Sequence, residues 1–102
     1  MSAEKPIETP MEMYNPPHPG EMLDELYLKE NNISISRAAL MLGISRKHLS
    51  NIINCKVPIT PEVALKLAKC FHTSAEVWLR EQLKYDLWHA RQTVNLDNVQ
   101  VM

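Results

Sequence analysis

Apolar residues recur along this chain at spacings of three and four, and no stretch alternates in the manner of a strand. The pattern predicts five helices. Pro19 suits a first helical position, because its missing N–H has no intrahelical partner there. Leu23, Leu26 and Tyr27 then give that helix an apolar stripe, and Asn31–Asn32 should close it, since Asn tolerates the left-handed conformation. Ser34 is placed to cap a second helix, Ile35 to Leu42, with Ala38, Ala39 and Leu42 inward and Gly43 at its end. Ser45 should cap a third, Arg46 to about Asn54. Thr60-Pro61-Glu62 supplies a cap, a proline and a first-turn acid for a fourth, with Ala64, Leu67, Ala68 and Phe71 inward. Thr73-Ser74-Ala75-Glu76 matches a capping box and opens the fifth and longest helix. Five of the seven prolines lie in the first 19 residues. Residues 1–13 therefore read as a flexible tail, 14–93 as one helical domain, and 94–102, NLDNVQVM with the valine before it, as a second loose end.

The second and third helices satisfy the register of a helix-turn-helix. Counting Ile35 as the first position, a small residue (Ala39) occupies the fifth, where two helices cross closely, and Gly43 occupies the ninth, where the turn needs a positive φ. Leu49 and Ile52 provide the apolar anchors at the fifteenth and eighteenth positions. At about 100° per residue, Leu49, Ile52 and Ile53 fall on one arc, while Arg46, Lys47, Ser50, Asn51 and Asn54 fall on another. That second arc holds no acid. Arg and Lys can donate to guanine O6 and N7, and Asn can pair twice with adenine. Arg46, Lys47 and Asn51 are thus the candidate base readers, with Arg37, Ser45, Ser50 and Lys56 as phosphate contacts.

Charge sharpens this reading. The chain of 102 residues carries a net charge of −1, which conceals a division. Residues 1–33 hold seven acids against Lys5 and Lys29, whereas residues 34–72 hold six lysines and arginines against Glu62 alone. A basic middle suits an anionic partner, and an acidic flank suits a cationic one. No apolar run approaches the roughly 18 residues of a membrane span, and MSAEKPIETP lacks a signal-peptide core, so a cytoplasmic protein is expected. Cys55 and Cys70 with His48 and His72 do not have zinc-finger spacing, and no nucleophile–base pair or paired apolar carboxylates suggest an enzyme. No metal or cofactor is expected.

The runs NPPHPGEMLDELYL, GISRKHLSNIIN, ITPEVALKLAKCF and SAEVWLREQLKYDLW resemble the HigA family of antitoxins, the VapI-like branch of the Cro/repressor (XRE-type) helix-turn-helix proteins. The likeness spans roughly residues 11–92, and NPPHPGE is its most distinctive part. It implies an all-α, Cro/repressor-like domain in a bacterial protein that forms homodimers, represses its own operon and binds a RelE-like, mRNA-cleaving toxin. A solitary XRE-type regulator without a toxin is the alternative. The family usually places Gly after the recognition helix. This chain has Cys55 there, so either Cys55 is strained or Asn54 takes up the turn.

Two surfaces remain to be assigned from residue pattern. On the fifth helix, Ala75, Leu79, Leu83 and Leu87 should face the core, leaving Trp78, Tyr85 and Trp88 as a dimer stripe that sets two recognition helices about 34 Å apart on a palindrome. Glu21, Asp24 and Glu25 on the first helix, together with the acids of the tail, are the candidate toxin surface.

Overall fold

The computed structural model describes residues 15–102, and among these the secondary structure is helical throughout. The expectations for residues 1–13 fall outside the described residues. Helix α1 (Pro19–Leu23) runs directly into a π-helical turn (Asp24–Leu28), and is followed by α2 (Ile35–Leu42), α3 (Arg46–Ile53), α4 (Pro61–Phe71) and α5 (Ala75–Thr93). Helix α1 packs on α3 and α5, α2 on α3 and α4, and α4 on α5. Leu23, Leu28, Ala38, Leu49, Ile52, Ile59, Leu67 and Trp78 fill the centre.

The helix boundaries follow local chemistry. Ser34 accepts from Arg37 N–H, Ser45 from His48 N–H and Thr60 from Val63 N–H, each satisfying an orphan donor of the first turn. The C-terminal ends of every helix before α5 share one device. Asn32, Gly43, Cys55 and His72 all have positive φ, and the residue after each donates back to a carbonyl five positions earlier: Ile33 to Leu28, Ile44 to Ala39, Lys56 to Asn51 and Thr73 to Ala68. These are Schellman closures, and only one uses glycine. Cys55 itself adopts φ 62°, while Asn54 stays at −87°.

Three expectations are corrected. In the first helix Leu26 is exposed and Leu28 is buried. The Lys29 N–H bonds to Asp24 O across five residues, and this wider turn rotates the inward face by one position. At the start of α5 the cap is Ser74, not Thr73. Ser74 Oγ accepts from the N–H groups of Glu76 and Val77, which leaves the Thr73 hydroxyl to accept from Trp78 Nε1 at 2.8 Å. Along α5, Trp78 is buried in the protomer's own core at 2% exposure, whereas Leu83 is 57% exposed. A strict four-residue repeat advances about 400° per step and drifts off the inner face. The face that packs inward follows spacings of four, three and four through Trp78, Gln82, Tyr85 and His89. Trp78 is therefore no dimer contact.

The NPPHPG segment has a structural explanation. His18 caps α1, its Nδ1 accepting from Gly20 N–H at 2.9 Å, and the ring meets Tyr85 edge-on at 4.8 Å between centroids. Gly20 lies against α3 so closely that a Cβ there would collide with the Ile52 carbonyl. The motif therefore seats α1 on the C-terminal end of α3.

Candidate nucleic-acid interface

Helix α3 presents its outer arc at the edge of the molecule, held from behind by the buried Leu49 and Ile52. Arg46 and Lys47 are exposed and Asn51 is half-buried. Lys47, Asn51 and Ser45 line one open groove of about 360 Å³, together with His48, Thr60 and the Val57–Pro58 loop. Arg46, Lys47 and Ser50 line a second, on the other flank of the helix, with Ile35 of α2. The candidate base readers thus sit together between two depressions. Lys56 lies beyond the loop, beside His18, Tyr85 and Asp86, and Arg37 stands exposed in the first turn of α2.

The cations of this face are not neutralised by neighbours. Lys29 pairs with Glu25 and Asp24, Lys66 with Glu62, and Lys84 with Glu81. Lys66 also reaches the Gly43 carbonyl at 3.5 Å, so its charge is engaged with the end of α2. Among the described residues, Arg37, Arg46, Lys47 and Lys56 have no acid within ion-pair distance, as is also true of Lys69 on α4 and Arg80 on α5. Four unpaired cations around a polar helix form a surface for a polyanion. The two serines keep a hydroxyl proton available, since Ser45 Oγ accepts from His48 N–H and Ser50 Oγ from Asn54 Nδ2.

His48 and Thr60 were not legible as groove residues. His48 falls between the polar and apolar arcs of the helical wheel, nearer the apolar one, and Thr60 reads locally as a cap. The Schellman turn at Cys55 brings Thr60 back beside α3, and helical periodicity carries no signal for such a return. The thiols offer no activated nucleophile. Partial desolvation, and for the otherwise exposed Cys55 also the negative charge of Glu21, pushes both above their ordinary range.

The predicted toxin surface is divided. Glu21 is exposed and acts on Cys55, so it borders the turn after α3, while Asp24 and Glu25 share Lys29 at 3.5 and 2.8 Å. No helix among the described residues is long and apolar enough to cross a membrane.

The sequence matches the helix-turn-helix family over residues 25–78. It is 49% identical over 76 residues to virulence-associated protein A of Dichelobacter nodosus, covering 74% of each chain. It is 39% identical over 72 residues to antitoxin HigA-1 of Vibrio cholerae, covering 71% of this chain and 68% of that one. The fold is similar to the Pseudomonas aeruginosa antitoxin HigA, whose structure includes its higBA promoter. The TM-score is 0.74 at 34% identity, over 76% of this chain and 84% of the other. A basic recognition-helix arc on a registered helix-turn-helix and kinship across most of the chain lead to one assignment: the protein belongs to the XRE-type helix-turn-helix family and, within it, to the HigA antitoxins.

Proposed function

We propose that this protein is the antitoxin of a type II toxin–antitoxin pair. It binds operator DNA as a homodimer, represses its own operon and neutralises a RelE-like, mRNA-cleaving toxin. The observation that carries the DNA half is the set of four cations without acidic partners on and around α3. Arg46, Lys47 and Asn51 read bases, and Arg37, Ser45, Ser50 and Lys56 hold phosphates. The promoter bound to the Pseudomonas aeruginosa relative supports this reading.

For the dimer, Tyr85 is taken up by His18 and the half-buried Trp88 by His89, and the apolar surface left open is Leu83, Leu87 and Ala90 of α5 with Val94 at its C-cap, at spacings of four, three and four. Leu83 and Val94 are 57% and 56% exposed, and Leu96 extends the patch. Two copies joined there bury an isologous apolar strip, as a two-fold operator requires. For the toxin, the acidic first helix is the complementary surface, with Glu21 and Glu25 exposed beside Asp24.

A reporter driven by the DNA upstream of this gene, with the neighbouring reading frame expressed alongside, tests both halves. Wild-type protein should repress the reporter and restore growth against the neighbour. The Arg46→Ala/Asn51→Ala variant should lose repression and keep the rescue. Repression that survives in the variant refutes the DNA assignment. Absence of any toxic neighbour leaves the solitary regulator.

A further inference from the structure

Two polar side chains among the described residues are buried, His18 at 3% and Gln82 at 6% exposure, and both hold the same loop. The His18 imidazole faces the Val57 backbone carbonyl. Gln82 Oε1 accepts from Ile59 N–H at 2.8 Å, and its own amide donates to Asp86 Oδ1 at 3.0 Å. The Ile59 side chain is itself 2% exposed. Pro58 restricts Val57 to extended backbone, and the Schellman turn at Cys55 fixes where the loop departs from α3. Buried polar groups are costly unless fully bonded, so two of them on one short loop fix its position firmly. What they position is apolar. Val57 and Pro58 supply the apolar part of the lining of the groove that Lys47 and Asn51 share with Ser45, His48 and Thr60.

We propose that Val57 and Pro58 read thymine: they pack against the C5 methyl of a thymine in the major groove, beside the adenine engaged by Asn51. This rests on the operator-binding reading above and adds a specificity element outside the recognition helix. The base edges of the major groove display hydrogen-bonding groups and one apolar feature, the thymine methyl. A groove lined by an amide, an ammonium and a firmly held hydrocarbon surface matches an A·T step in both respects. Phosphates would call for donors along that surface, and Val57 and Pro58 have no side-chain donor.

The test uses the full chain and duplexes recovered by it from a random pool. Each thymine of the recovered site is replaced singly by deoxyuridine, which removes the methyl and nothing else. Wild-type protein should bind about three- to fourfold more weakly at one thymine per half-site, the effect of one methyl-sized group buried. Replacing both symmetry-related thymines should weaken it about tenfold. Val57→Ala and Pro58→Ala should bind the thymine and deoxyuridine duplexes alike, the second variant serving because the Pro58 side chain is exposed whereas Val57 packs partly on the core. Uniform tolerance of deoxyuridine by the wild type overturns the proposal, and places any contact of this surface on deoxyribose. So does an unchanged methyl penalty in both variants. Recovery of no site at all overturns the operator reading itself.

Discussion

Replacing Cys55 by glycine should stabilise the protein. Cys55 sits at φ 62° as the left-handed residue that closes α3, with Lys56 N–H bonded to Asn51 O at 2.8 Å and Cys55 N–H to Ile52 O at 3.0 Å. A Cβ in that conformation costs about 1–2 kcal/mol through its contact with the following carbonyl. Glycine removes the contact but loses about 0.5–1 kcal/mol more chain entropy on folding. The difference is a gain of about 0.5–1 kcal/mol, or roughly 2–8 °C in melting temperature for a domain of this size. The Cys55 side chain is exposed, and its one polar contact is a weak one from Sγ to Ile53 O at 3.8 Å, so little else is lost. Cys55→Ala is the control, because it removes the thiol and keeps the Cβ. Thermal and urea unfolding of the three proteins should rank Gly above Ala and wild type, with the last two nearly equal. Equal stability of the Gly and Ala variants would refute the strain.

Gly20→Ala should act in the opposite direction, costing about 1–3 kcal/mol as an overpacked contact, because its Cβ would meet the Ile52 carbonyl carbon at 2.7 Å; urea unfolding reads it, and a neutral result contradicts the close seating of α1. Stability should also fall as pH drops below 6.5: burial holds the His18 imidazole below its ordinary 6.5, against the opposing pulls of Asp86, the Val57 carbonyl and Glu21. The unfolded chain then binds a proton that the folded one resists, so this contribution is full above 6.5 and declines beneath it until the folded ring protonates too. His18→Asn, which can still cap α1, should flatten that decline in unfolding curves at pH 5.5 and 7.5, and an undiminished decline assigns it to other groups. Leu83→Glu/Val94→Glu should sediment as a folded monomer, and a variant that remains dimeric rules out that face of α5.

The parts of this fold legible in the sequence are those written in local backbone chemistry. Ser34, Ser45 and Thr60-Pro61 start helices where a side-chain acceptor meets orphan N–H groups, and Gly43 ends one where φ must be positive. The exposed polar arc of α3 was equally accessible, because Arg46, Lys47 and Asn51, the proposed base readers, share a helix face whose opposite side is held by Leu49 and Ile52. What escaped depends on events between elements. The π turn at Asp24–Leu28 exchanges Leu26 for Leu28 without any proline or glycine to mark it. Ser74 outcompetes Thr73 as a cap because the Trp78 indole claims the Thr73 hydroxyl, a partner five residues away. On α5 the run of leucines every fourth residue suggested an inner face, but the geometry of 3.6 residues per turn carries Leu83 outward and Trp78 inward. The loop lining of the groove is tertiary, made by His18 and Gln82 from opposite ends of the chain.

The reading of α3 as the DNA-contacting element is tested most directly by anisotropy titration of a labelled duplex carrying the sequence upstream of this gene. Wild type, Asn51→Ala, Lys56→Ala and Arg46→Ala/Asn51→Ala are compared over a range of salt. Asn51→Ala should lose about 1–3 kcal/mol at one adenine-containing position, and Lys56→Ala should weaken all duplexes alike and lower the salt slope by about one unit. The double variant should lose discrimination between the upstream duplex and an unrelated one. Undiminished binding and discrimination by Arg46→Ala/Asn51→Ala would contradict the assignment of α3 as the recognition helix.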